Sequence, residues 1–319
     1  MTAKLILIIG LSFSGSGLCA TTLNLNPIHS TDSFTSLVQQ VNSWNEAKNT
    51  LVVMDNDDTL TMISCPDNGN PDNCQYLGGA AWYSWQSGLL KSGAKMRVAD
   101  NTHELIEASD LLFALNTMVF TRENVPSVLK ALGDKGVRLM VETARGNQTI
   151  SATEDQFTDL MVTEDINLHD YISTRSLHFN GLSSLASPYM SCDSGSSRSI
   201  SYRSGVMYLA GQDKGRNLLC LLQHYNQDKT SEQDITHIVF IDDTLENVKS
   251  VHDALSQHPE YTFAAFHYTA LASHKQALTK GELADTFQAK ATQRWCNLIT
   301  GMHNNLLQPS YARLCSKQK

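Results

Sequence analysis

Three carboxylates crowd one turn of this chain. In Leu51-Val52-Val53-Met54-Asp55-Asn56-Asp57-Asp58-Thr59-Leu60, a short apolar run ends in Asp55, Asp57 and Asp58. Carboxylates so close together repel, and they stay ionised side by side only next to a cation. A hard ion such as Mg²⁺ suits a donor set made of oxygens. A calcium loop of the EF-hand type does not fit, since its sixth position would be Leu60 instead of Gly and its twelfth Pro66 instead of Glu. An acidic turn alone is commonplace, and the surroundings give this one weight. A second apolar run ends in Glu142-Thr143-Ala144-Arg145-Gly146, and a third ends in Asp242-Asp243-Thr244-Leu245-Glu246-Asn247. Between them, Asp213-Lys214-Gly215 opens a helical pattern. Acids at the carboxyl ends of parallel strands lie where open α/β sheets bind their ligands.

That ordered set resembles the haloacid-dehalogenase-like superfamily, whose motifs are an apolar strand followed by DxDx[TV], a strand ending in Thr or Ser, a Lys, and a strand ending in two acids with a later Asn. The resemblance covers Leu51 to Leu60 and Asn116 to Thr269 and says little about the rest. It implies that Asp55 is a nucleophile taking a phosphoryl group and that Asp57 is the general acid and base. It further implies that Thr143 donates a hydrogen bond to the phosphoryl oxygens, while Lys214 offsets the charge on Asp55 and the phosphate. Asp242 would ligate Mg²⁺, Asp243 would ligate it or bind its water, and Asn247 would hold that loop. Asp55 completes the metal set together with Asp57, which would ligate through its backbone carbonyl and keep its carboxyl free. Arg145, two residues past Thr143, either binds substrate or pairs with an acid. Members that act on carbon–halogen bonds lack an acid at the place of Asp57, so the resemblance implies a Mg²⁺-dependent phosphomonoester hydrolase. Its substrate would be a small molecule or a phosphorylated macromolecule. The contrasting reading is a secreted binding or host-interaction protein with little turnover; the complete acid set speaks against it.

A second nucleophile competes. Cys192-Asp193-Ser194-Gly195-Ser196-Ser197-Arg198-Ser199 fits the C-x5-R-[ST] pattern of cysteine-dependent phosphatases. That loop needs an apolar strand before the Cys and a helix after the Arg, and here Ser183 to Ser204 reads as an irregular Ser/Gly-rich stretch, with Ile200 to Leu209 like a hairpin. A cysteine in an exported chain is also more readily paired than held as a thiolate.

The elements that must position these residues read as an α/β fold. Leu51 to Met54, Val137 to Val141, Ile238 to Ile241 and Phe263 to Phe266 are short apolar runs suited to buried strands, with a further strand at Val206 to Leu209. Helical patterns at Val125 to Gly133, Gly215 to Tyr225 and Leu245 to Leu255 alternate with them, as βαβ units require. The expectation is a Rossmann-like, doubly wound parallel sheet of residues 21–61 and 117–290. Residues 62–116 interrupt the alternation and predict a small helical cap over the site that selects the substrate. Its Trp82, Tyr83 and Trp85 form a substrate-facing wall or, as we favour, the insertion's own core. Residues 291–319 read as a C-terminal tail.

Composition sets the outer bounds. Of 319 residues, 41% are hydrophobic and 18% charged, which excludes a disordered chain. A net charge of −8 with no basic run argues against nucleic acid as a partner. Residues 1–20 read as a signal peptide: Lys4, an apolar stretch from Leu5 to Phe13, then small residues ending at Ala20. That stretch is too short for a span that needs about 20 residues. The expected destination is periplasmic or secreted, without membrane attachment once the leader is removed. Of the seven cysteines, Cys65, Cys74, Cys192, Cys220, Cys296 and Cys315 would remain, an even number that points to disulfides. Cys65 and Cys74 close a turn-rich loop and are expected to pair, and Cys296 with Cys315 would pin the tail.

Overall fold

The structure is a computed structural model that describes residues 27–63, 75–193, 195, 198–227 and 234–305. The leader and the Cys65–Cys74 pairing expected from the sequence lie outside the described residues, as does Cys315. The described residues form ten strands: β1 (Ile28–Thr31), β2 (Thr50–Met54), β3 (Thr61–Ile63), β4 (Met118–Phe120), β5 (Arg138–Thr143), β6 (Tyr189–Met190), β7 (Ser199–Arg203), β8 (Val206–Tyr208), β9 (His237–Asp242) and β10 (Thr262–Tyr268). Eight of them form one sheet in the order β1-β10-β9-β2-β5-β8-β7-β6. The first six in that order pair in parallel, and β7 and β6 continue the sheet antiparallel.

Burial on both faces explains why the central strands are unbroken apolar runs. Successive side chains alternate between two cores. Val52, Met54, Leu139, Val141, Val239 and Ile241 point into one. Leu51, Val53, Met140, Ile238 and Phe240 point into the other. Helices α1 (Thr35–Trp44) and α4 (Val125–Asp134) cover the first face, with Leu37, Val41, Val128 and Leu132 among the buried residues. Between α1 and α4 the chain forms α2 (Ala80–Ser92) and α3 (Thr102–Leu115). Helices α5 (Ile150–Thr158) and α6 (Leu168–Arg175) join the first layer through Phe157, Tyr171 and Ile172. On the opposite face lie α7 (Lys214–Gln227) and α8 (Leu245–Ser256), contributing Leu218, Leu222, Val248 and Val251. These two helices touch where Gly215 leaves room; a side chain there would collide with the Ser250 backbone.

The interruption of the alternation is an excursion from the end of the central strand. Strands β3 and β4 pair antiparallel, with Met62 opposite Val119, so the chain leaves and returns through one narrow stem. Helices α2 and α3 lie beyond that stem. Their apolar faces meet α9 (Ala272–Thr279) and α10 (Ala284–Asn305) in a third core containing Trp82, Trp85, Leu105, Leu278, Phe287 and Trp295. Trp82 is fully buried with its ring 6.2 Å from Trp295. The tryptophans of the insertion are therefore core residues, and the core is shared with the C-terminal helices. Helix α10 runs through position 291, where the sequence pattern places the start of a tail.

Two further strands, β1 and β6, were not expected from the sequence. β1 is a parallel edge strand of mixed polarity, held by its pairing with β10. Within the Ser/Gly-rich stretch β6 pairs with β7, and the hairpin expected over Ile200 to Leu209 is present as β7 and β8, which turn at Ser204 and Gly205, both at positive φ. Cys192 is disulfide-bonded to Cys220 of α7. Cys296 is also disulfide-bonded. No helix among the described residues is long and apolar enough to cross a membrane.

Candidate functional site

The carboxyl ends of β2, β5 and β9 lie side by side, with β2 between the other two. From β2 the chain moves outward to β5 and β8, then crosses back to β9 on the other side of β2. Such a reversal leaves a crevice beyond the strand ends, where side chains from distant segments meet. The turn after β2 is wound tightly. Leu60 N–H donates to Asp55 O at 3.2 Å, Thr61 N–H to Asn56 O at 2.9 Å, and Asp58 N–H to Thr61 O at 2.7 Å. Closing the turn forces Asp58 into the left-handed region, φ 61°, a conformation that Asp tolerates better than most residues.

Lys214, the first residue of α7, ties three strands together. Its Nζ donates to Asp55 Oδ1 at 2.6 Å, to Asp242 Oδ2 at 2.7 Å and to Glu142 O at 2.8 Å, which uses all three of its N–H groups. Asp242 is further fixed by Thr244 N–H at 2.7 Å and by Asn247 Nδ2, 3.2 and 3.1 Å from its two oxygens. Asp243 N–H donates to Thr59 Oγ1 at 3.0 Å, and its carboxylate contacts the Lys275 ammonium, which arrives from α9. The same ammonium is 3.8 Å from Asp58 Oδ2.

One oxygen each from Asp55, Asp242 and Asp243 can lie within 4.8 Å of one another, a group able to hold a metal ion. Burial raises the Asp55 carboxyl to about 7, with Lys214 pulling it down and Asp242 and Asp57 pushing it further up. Burial likewise raises Asp58 to about 6, against the pull of Lys275. Glu142, fully buried with neither carboxylate oxygen hydrogen-bonded, is raised well above the usual range by burial and belongs in its neutral form. Burial opposes the charge on Lys214, yet Asp242 and Asp55 outweigh it and hold the ammonium protonated. Five carboxylates (Asp55, Asp57, Asp58, Asp242, Asp243) thus face three cations (Lys214, Arg145, Lys275). The surplus of two acidic groups carries oxygen donors only, a set suited to a hard cation.

Asp57 has a different partner. Its two oxygens accept from Arg145 Nε at 2.8 Å and Nη2 at 2.7 Å, a bidentate pair. Its carboxyl is held by Arg145 and is not part of the candidate metal group, and Arg145 takes the acid-pairing role of its two expected ones. Thr143 is buried at the end of β5, and its Oγ1 accepts from Arg145 N–H at 3.2 Å. Asp55, Lys214, Asp242, Asp243 and Asn247 are thus in one cluster, with Asp57, Thr143 and Arg145 adjoining it. Sequence reasoning missed Lys275, which follows the last strand and carries no motif, and it missed Thr59, Thr153 and Gln156 as partners of the site.

A search of curated proteins returns no match to this chain. Residues 30–300 match the family described as "Protein of unknown function (DUF2608)", a span that takes in the whole sheet apart from its first residues, every acid of the cluster and most of α10. The chain belongs to that family.

Proposed function

We propose that this protein is a Mg²⁺-dependent phosphomonoester hydrolase of the haloacid-dehalogenase-like superfamily, working through an aspartyl-phosphate on Asp55. The observation that carries the reading is the convergence at Lys214, whose ammonium joins the acid after β2 to the acid ending β9 at 2.6 and 2.7 Å. Segments 159 and 28 residues away from Lys214 in sequence meet at one atom, in the arrangement that the ordered motifs imply. The stem of β3 and β4 supports the cap reading, because the insertion leaves the core within a few residues of Asp55.

Asp55, Asp242 and Asp243 would hold Mg²⁺, which supplies positive charge against the phosphoryl oxygens. Asp55 attacks phosphorus with the oxygen that Lys214 does not hold, while Asp57, having first taken up a proton from solvent, gives it to the leaving oxygen as the P–O bond to it breaks. Lys214 and the Thr143 hydroxyl face the charge that spreads over the phosphoryl oxygens. Water then attacks phosphorus, Asp57 takes its proton, and the bond to Asp55 breaks to release inorganic phosphate. The insertion closes over this chemistry and selects the substrate. Export is part of the proposal: the apolar leader and the Cys192–Cys220 disulfide fit an oxidising compartment.

The test is a panel of phosphomonoesters with Mg²⁺, using wild type and Asp55→Asn. Hydrolysis that vanishes in the variant and on chelation supports the reading, as does BeF₃⁻ capture by the wild type. Turnover by Asp55→Asn near the wild-type rate overturns it.

A further inference from the structure

Arg145 is 1% exposed, whereas the Asp57 side chain that it grips keeps 18% exposure. The guanidinium is thus buried, while the carboxylate keeps an accessible side. Arg145 itself is anchored. Its Nη1 donates to Thr153 Oγ1 at 2.9 Å and to Gln156 Oε1 at 2.7 Å, both on α5, and its guanidinium stacks over the Phe113 ring at 4.3 Å. Four of its five N–H groups are spent on Asp57 and α5, which leaves too few donors to clamp a phosphate. Gln156 extends the chain of contacts. Its Nε2 donates to Phe113 O at 2.6 Å and to Asn116 O at 3.0 Å, the carbonyls at the end of α3, where the insertion rejoins the core.

We propose that Arg145 is a positioning residue that fixes the Asp57 carboxyl toward the leaving group, and that Gln156 ties this pair to the end of α3, so that the seating of the insertion sets the placement of the acid. The inference rests on the hydrolase reading, in which Asp57 is the general acid. A bidentate grip holds a carboxylate in both position and plane, which a single ammonium contact would not do. Placement matters because general acid catalysis is worth about 10² to 10⁴ in rate and depends on hydrogen-bond reach to the leaving oxygen. An insertion displaced from its seat would pull on Gln156, and through it on the guanidinium. The acid would then be correctly aimed only with the insertion seated.

The experiment compares kcat/KM on two esters at saturating Mg²⁺, p-nitrophenyl phosphate and a primary alkyl phosphate. The first expels a stable phenolate with little need of an acid; the second needs a proton. For Arg145→Gln the expected fall is about 10²-fold or more on the alkyl ester and under about tenfold on the aryl ester. Gln156→Leu, which leaves the Arg145–Asp57 pair in place, should show the same asymmetry at about tenfold, and it carries the test if Arg145→Gln fails to fold. Equal falls on both esters would overturn the positioning role and return Arg145 to substrate binding. A wild type inactive on both esters and unable to capture BeF₃⁻ would overturn the hydrolase reading and this inference together, whereas an active wild type with equal falls overturns this inference alone.

Discussion

Replacing Lys214 by Met removes the one ammonium that stands between Asp55 and Asp242 while keeping a side chain of similar length. Asp55 is 6% exposed and Asp242 is fully buried, so neither carboxylate gains water in exchange. Removing one partner of a buried ion pair costs about 3 to 5 kcal/mol, because the remaining charge is left uncompensated. The orphaned Glu142 carbonyl adds about 1 kcal/mol or more. Asp242 keeps Thr244 N–H and Asn247, which holds the total near the lower sum, about 4 to 6 kcal/mol. Against a total stability of about 5 to 15 kcal/mol, the variant remains folded or sits close to its midpoint. Urea unfolding at pH 7 with chelator present measures the loss, followed by two probes to confirm a single transition. Adding Mg²⁺ should then return part of it, since a divalent ion at a hundred times its Kd restores about 2.7 kcal/mol. The loss should shrink in an Asp55→Asn background, where less charge is left uncompensated. A cost under about 1 kcal/mol without metal would refute the reasoning, because it would mean that Lys214 faces no ionised carboxylates.

Three other outcomes follow from the same structure. Without metal, stability should fall as pH rises from about 4 to 7, since the Asp55 carboxyl binds its proton more tightly folded (about 7) than unfolded (3.8), and Asp58 (about 6) adds to the decline in its lower part. The Asp55 contribution to that fall approaches about 4 kcal/mol, and excess Mg²⁺ should flatten the slope; denaturant titrations at several pH values decide it, with a rise in metal-free stability over this range counting against the raised carboxyls. Trp82→Ala should lower stability by about 3 to 5 kcal/mol by emptying the core shared with Trp295, so a change in KM with an unaltered melting temperature would place the indole at the substrate instead. Cys192→Ser should cost about 3 kcal/mol through release of a 28-residue closure and leave turnover intact; loss of turnover in a folded variant would revive the cysteine as nucleophile.

The central strands were legible because burial on both faces demands uninterrupted apolar runs, and β2, β5, β9 and β10 are such runs. β1 was not: Ile28-His29-Ser30-Thr31 has an edge strand's mixed polarity, and its place comes from the register with Ala265 to Tyr268. β6 hid behind a serine-rich composition, and what makes it a strand is the edge that β7 offers, whereas the β7–β8 hairpin was legible over Ile200 to Leu209. The insertion's helices were legible from their pattern. Their partners were not, because α2 and α3 bury themselves against α9 and α10, nearly 200 residues on, and no local periodicity reports such a match.

The same division runs through the site. The acids were readable because each ends a strand whose position the hydrophobic pattern reveals, and sheet geometry alone brings strand ends together. The groups that govern those acids stand on helices, where position depends on packing. Lys214 was readable through a motif, yet its hold on Glu142 O depends on α7 seating closely on α8 at Gly215. Lys275 reaches Asp243 only because Tyr76 holds α9, its hydroxyl donating to His274 O at 3.0 Å and its ring stacking on His274 at 4.5 Å. The cations therefore report the tertiary arrangement, while the carboxylates report the sheet. This is why Arg145 stayed ambiguous: its sequence position is near Thr143, but its partner is chosen by where α5 puts Thr153 and Gln156. Two of the three cations, at 1% and 2% exposure, are locked by at least three contacts each. Lys275, at 31%, is not. A divalent ion arriving at Asp55, Asp242 and Asp243 would meet fixed charges on two sides and a side chain able to withdraw into water on the third, so the acids can accept it without rebuilding the sheet that carries them.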